Sequence, residues 1–188
     1  MELPNGNFLV AGHSASQSLG SDDGWILSIS PEGKVNWDRH YGGKKRDALH
    51  SLALNADSTV LAAGFTKSQG HGKADLWLIN IDWEGNLLWE KTIGGHDFEK
   101  ARAMVQTRDE HLLLAGYTHS QGLGKGDAWV VKTSLRGEML WEKTFGGEGF
   151  DKAYHLAEKE NGNVILIGNI DLAGQSNMLG IQLKPQKE

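Results

Sequence analysis

The sequence predicts an all-β fold built from repeated four-stranded units, and three observations carry that prediction. Gly12, Gly64, Gly116 and Gly168 follow one another at steps of 52 residues. Two sets of tryptophans, Trp25, Trp77 and Trp129 and then Trp37, Trp89 and Trp141, keep the same step. The 188 residues include 25 glycines and only three prolines, a balance that suits short strands joined by many turns and does not suit helix bundles. Such a period is long enough for one four-stranded unit and too short for a unit that folds alone, so neighbouring units must bury one another's faces. The chain is read as one domain for that reason.

The elements follow in order within the repeat. In the unit from Gly64 to Ala115, the apolar run from Leu76 to Ile81 has strand length, and Glu84-Gly85-Asn86 turns the chain into a second strand from Leu87 to Thr92. This hairpin recurs as Ala128 to Thr133 with Met139 to Thr144, and earlier as Trp25 to Ser30 with Lys34 to Arg39. Gly94-Gly95 closes it, a third strand runs from Ala101 to Thr107, and the turn Arg108-Asp109-Glu110 leads into a fourth from His111 to Tyr117. Lettering the strands A to D, with the glycine of the 52-residue step in B, the chain reads as B, C and D, then two full units, then A, B and C. The units span about 5–43, 44–95, 96–147 and 148–186. The last one loses residues in its glycine-rich loop, carries Leu179 or a neighbour where tryptophan stood, and reaches Lys184-Pro185 before a fourth strand.

Tryptophan is large and favours a pleated, half-buried surface, so its repetition points to core between sheets. An aromatic cage for a cation needs rings that converge on one point, whereas a fixed step disperses them. A formal charge of −5 with interspersed lysine and glutamate gives no continuous basic face, which makes nucleic acid and anionic membrane poor partners. The absence of cysteine removes disulfides, thiolate nucleophiles and cysteine metal sites, and leaves the compartment open. No stretch reads as an export signal or a membrane-spanning helix.

Glycine-rich loop, aspartate, tryptophan strand, turn glycine, second tryptophan and Gly-Gly appear as Asp75-Leu76-Trp77, Gly85, Trp89, Gly94-Gly95 and Glu99. They recur as Asp127-Ala128-Trp129, Gly137, Trp141, Gly146-Gly147 and Asp151. Over nearly the whole chain this pattern resembles the bacterial β-propeller repeat family. The resemblance implies a β-propeller with about four blades per chain, the first and last incomplete. It also implies a scaffold role, in a family commonly exported and often part of larger surface proteins. The segment from Ile81 to Trp89 is similar to the docking segment of quinoprotein propellers, which implies the competing reading, a cofactor-dependent enzyme. No quinone-binding motif is matched, so no cofactor is expected.

Loops alternate between the two ends of an antiparallel sheet, which places Lys67 to Ala74 and Ile93 to Glu99 on one rim. Lys67, His71, Lys73, His96, His119 and Lys125 are displayed there as candidate ligand contacts, together with the repeated acids Asp47, Glu99 and Asp151. The competing account is that glycine sets turn geometry and the acids accept backbone N–H bonds. Asp22-Asp23, Asp75 and Asp127 supply too few oxygens per loop for calcium, and the histidines lack zinc spacing. Gly70-His71-Gly72-Lys73 runs into Ala74 and a strand, so it is no phosphate loop. Gly12-His13-Ser14-Ala15-Ser16 lacks the last glycine of a nucleophile elbow. No catalytic set or metal site is expected, and the function expected is a non-catalytic scaffold for a protein or small-molecule ligand. Incomplete end units leave three arrangements open: a homodimer closing an eight-bladed ring, a four-bladed monomer, or a fragment of a longer propeller.

Overall fold

A computed structural model describes residues 1–16, 18–55, 57–172 and 174–184. The described residues form fourteen strands and no helix, arranged as four antiparallel sheets. The first sheet contains β1 (Phe8–Ser14), β2 (Asp23–Ile29) and β3 (Val35–Tyr41). The second contains β4 (Asp47–Leu54), β5 (Val60–Thr66), β6 (Asp75–Ile81) and β7 (Leu87–Ile93). The third contains β8 (Glu99–Gln106), β9 (His111–Thr118), β10 (Asp127–Ser134) and β11 (Met139–Phe145). The last contains β12 (Lys152–Glu158), β13 (Val164–Leu172) and β14 (Gln175–Leu183). Strands lie in chain order within every sheet, and the pattern of three, four, four and three follows the strand count read from the sequence. Pro185, where the sequence suggested that the last unit stops, lies outside the described residues.

The glycine that defines the repeat has a steric cause. In β4, β8 and β12 the register shifts by one residue, leaving His50, Arg102 and Tyr154 unpaired as bulges. Beside each bulge the adjacent strand comes so close that a Cβ on Gly64, Gly116 or Gly168 would lie 1.9, 1.7 or 1.9 Å from the carbonyl oxygen of Ala48, Lys100 or Lys152. Only glycine fits there. The turns before the fourth strands use left-handed glycines, Gly85 at φ 82° and Gly137 at φ 76°.

Each sheet packs on the next: β1 and β2 against β4, then β4, β5 and β6 against β8, then β8, β9 and β10 against β12. Three apolar interfaces result. Trp77 and Trp129 are buried, each facing the preceding sheet, with indole N–H groups donating to Glu90 and Glu142 at 2.9 Å. Burying a ring of this size removes about 150–250 Å² from water, worth on the order of 4–6 kcal/mol. The second tryptophans, Trp37, Trp89 and Trp141, are only half-buried and pack toward the following sheet. One repeat therefore uses its two tryptophans on opposite faces. Trp25 has no preceding sheet against it and stays partly exposed.

Candidate functional site

The loops entering β6 and β8 are joined on one rim. Lys73 N donates to the Asp97 carbonyl at 2.8 Å, and Ala74 bridges Phe98 in parallel fashion. Asp97 N in turn donates to the Ser120 hydroxyl at 2.9 Å, linking the same rim to the loop after β9.

The three repeated acids hold this rim together. Asp47 accepts from the Thr66 hydroxyl at 2.5 Å, Lys67 N at 3.0 Å, Gly43 N at 2.9 Å and the Ser68 hydroxyl at 2.7 Å. Glu99 accepts from Thr118 at 2.7 Å, Ser120 N at 3.2 Å and Gly95 N at 2.7 Å. Asp151 accepts from Gly147 N at 2.8 Å and Asp171 N at 2.7 Å. All three are fully buried, so their oxygens serve the loops and are turned away from any ligand. Asp75 and Asp127 are similarly buried and accept from Gly72 N and Gly124 N. No group of three metal-ligating side chains occurs among the described residues.

Of the basic candidates, His71, His96 and Lys125 stand exposed on the rim. Lys67 and Lys73 converge on the Phe98 ring, with ammonium groups 5.3 and 5.5 Å from its centroid, although Lys73 is also paired with Asp97 at 2.8 Å. His119 lies among Phe98, Tyr117 and Phe150 at ring separations of 5.7, 5.7 and 5.0 Å.

The structure adds three cations that the sequence reading did not single out. Lys100 sits 4.0 Å over the Phe65 ring, and Lys152 sits 4.2 Å over Phe150 and 5.3 Å over Tyr117. The guanidinium of Arg102, the bulge residue of β8, lies 6.0 Å over Tyr117, and its Nε is buried with no acceptor among the described residues. A lysine at the start of one sheet thus covers an aromatic ring of the sheet before it, twice at the repeat step. Burial, followed by the charges of Arg102, Lys67, Arg46 and Lys152, depresses the Lys100 pKa to about 8. Burial and then Arg102 lower that of Lys152 as well. Among the described residues Lys67, Lys100, Arg102 and Lys152 have no ion-pair partner, whereas Arg46 pairs with Asp22 at 2.9 Å. The sequence signal was present in Lys100 and Lys152, each directly after a loop acid and 52 residues apart.

A groove of about 650 Å³ opens elsewhere, between the third and fourth sheets, lined by Trp141, Lys143, Asp109 and Leu183 among others. At the two preceding interfaces the corresponding region holds a turn: Trp83 and Gly85 carbonyls accept from Trp37 and Tyr41, and Glu138 pairs with Lys91.

Comparison with known proteins adds little to this geometry. No family model matches the chain. It is 23% identical over 177 residues to the regulatory protein FlaEY of Caulobacter vibrioides, a match covering 86% of this chain and 18% of that protein. The chain thus spans less than a fifth of the length of the curated relative it matches. Among solved structures, Sqt1 from Chaetomium thermophilum aligns with 85% of this chain and 37% of its own at 11% identity, with a TM-score of 0.44. That likeness is too loose to bear on the arrangement of the sheets.

Proposed function

We propose that the chain is β-propeller material acting as a non-catalytic binding scaffold, and that its rim binds a small anionic ligand between the second, third and fourth sheets. The observation that carries this reading is the cluster of Lys67, Lys100, Arg102 and Lys152, stacked on aromatic rings and without a carboxylate partner among the described residues. Packing cations together without acids raises the energy of the free protein, and a bound anion relieves it. Aromatic faces hold the side chains extended, so little entropy is lost on binding. Similarity to a protein named as regulatory is in keeping with a part that binds. Calorimetric titration with inorganic pyrophosphate tests the site. Saturable binding that falls about tenfold or more in a Lys100→Gln, Lys152→Gln double variant supports it, since each charge-assisted contact is worth about 1.5–3 kcal/mol. Absence of binding at low salt refutes it.

The end sheets support the propeller arrangement and a homodimer partner. Phe8 and Val10 are 40% and 45% exposed, while the residues one repeat later, Val60 and Ala62, are fully buried against the first sheet. At the other end Ile167 is 50% exposed, while Ala115, one repeat earlier, is 1% exposed. Both outer faces thus present interface positions, and a second copy docked head to tail covers both and makes eight sheets. Light scattering at twice the chain mass of 20.6 kDa supports this, and a monomer at every concentration removes it.

A further inference from the structure

Among the described residues the first sheet has no counterpart of β4, β8 or β12 along most of its edge. Those strands pair with their neighbours β5, β9 and β13 across the bulge and up to the rim. Beside β1, by contrast, the described residues reach only the near end: Leu9 N donates to the Met1 carbonyl at 2.8 Å, the Met1 ammonium donates to the Leu9 carbonyl at 2.9 Å, Leu3 N donates to the Asn7 carbonyl at 2.7 Å, and Glu2 bridges Phe8. From Val10 to Ser14 no described residue pairs with this edge.

The edge nevertheless keeps the features that a neighbouring strand requires elsewhere. Gly12 occupies the place of Gly64, Gly116 and Gly168, whose Cβ positions are blocked by the carbonyl oxygen of the adjoining strand. A Cβ on Gly12 meets nothing within 4 Å. Nothing in this sheet demands glycine at that position, and in a strand glycine weakens pairing. Ser14 occupies the place of Thr66 and Thr118, whose hydroxyls donate to Asp47 and Glu99. Its hydroxyl accepts from Ser16 N at 3.1 Å, as Thr66 accepts from Ser68 N and Thr118 from Ser120 N, both at 3.0 Å. The hydroxyl of that carboxylate cradle is therefore in place in the first sheet, donating to the Ser16 carbonyl at 3.5 Å with no acid beside it among the described residues.

We infer that the open edge of β1 is a docking site for an extended peptide strand that carries a carboxylate opposite Ser14 and a bulge opposite Gly12. The occupant has the chemistry of Asp47 to Leu52, which pair with Thr66 to Ala62, one repeat beyond Ser14 to Val10. Main-chain bonds along the edge supply binding, and the carboxylate sets the register. The inference does not rest on the homodimer or on the anion site.

The test is an NMR titration of the whole chain with a capped peptide of residues 47–52. Saturable amide shifts confined to Val10 through Ser16 are expected. They are lost in Gly12→Val, whose Cβ blocks the approaching carbonyl while its surroundings leave the thermal midpoint unchanged. A peptide carrying Asp47→Asn binds about tenfold more weakly to the wild-type chain, and equally to Ser14→Ala, because the carboxylate and hydroxyl act as a pair. That double-mutant comparison decides the matter should Gly12→Val fail to fold. No saturable shift at millimolar peptide, undiminished binding by a folded Gly12→Val, or additive effects in the cycle would overturn the inference.

Discussion

Replacing Gly116 by alanine separates the steric account of the repeat from a merely compositional one. The added Cβ would lie 1.7 Å from the Lys100 carbonyl oxygen and 3.1 Å from the Ala101 Cα, with the first of these contacts to backbone that is part of the β8 to β9 ladder. Backbone cannot swing aside as a side chain does, so the bulge at Arg102 has to open. Overpacking of this kind typically costs 1–3 kcal/mol and occasionally more, and about 3 kcal/mol or above is expected here because the clash falls on main chain. For a domain of this length that corresponds to a fall of roughly 6–12 °C in the melting midpoint. Gly12→Ala is the same chemical change at the equivalent position, with open space around it, and should cost nothing measurable. Urea unfolding followed by tryptophan fluorescence, with the two variants compared side by side, reads the difference. Equal losses in Gly116→Ala and Gly12→Ala would refute the reasoning, as would a neutral Gly116→Ala.

Two further outcomes follow from the same geometry. Lys100 has its pKa lowered from 10.5 to about 8 in the folded chain, so between those values the unfolded chain holds more protons. This group therefore penalises the fold below pH 8, and the penalty fades as pH rises from about 8 toward 10.5; the urea midpoint of wild type relative to Lys100→Gln should climb across that window, and a flat difference would contradict the cation cluster. Glu110 holds a left-handed φ of 60° in the turn where the next repeat has Gly162 at 76°, so Glu110→Gly should stabilise by about 0.5–1 kcal/mol, checked by thermal denaturation.

Much of the architecture was legible because it depends on period and alternation, which are one-dimensional properties. The strand count and the hairpin turns follow from spacings such as those of Gly64, Trp77 and Gly85. Strand ends were less legible: β6 and β10 start on the buried acids Asp75 and Asp127, one residue before their apolar runs. The rim candidates divided. Lys67, Lys73 and His119 lie with the aromatic cluster, while Asp47, Glu99 and Asp151 proved to be loop-organising acceptors. Lys100, Arg102 and Lys152 were missed because each is an ordinary surface lysine or arginine by type, and total charge averages away a local excess.

What the sequence by itself determined is the repeated sheet and its internal packing, since a 52-residue step places the same residue types on the same faces in each unit. Only the tertiary structure decided which of those positions meet a partner. Gly12 and Gly116 read alike along the chain, and one faces open space while the other is wedged against a carbonyl. Phe8 and Val60 read alike, and one is exposed while the other is core. The physical reason is that burial, steric conflict and charge clustering are relations between sheets, and they depend on which sheet lies next door.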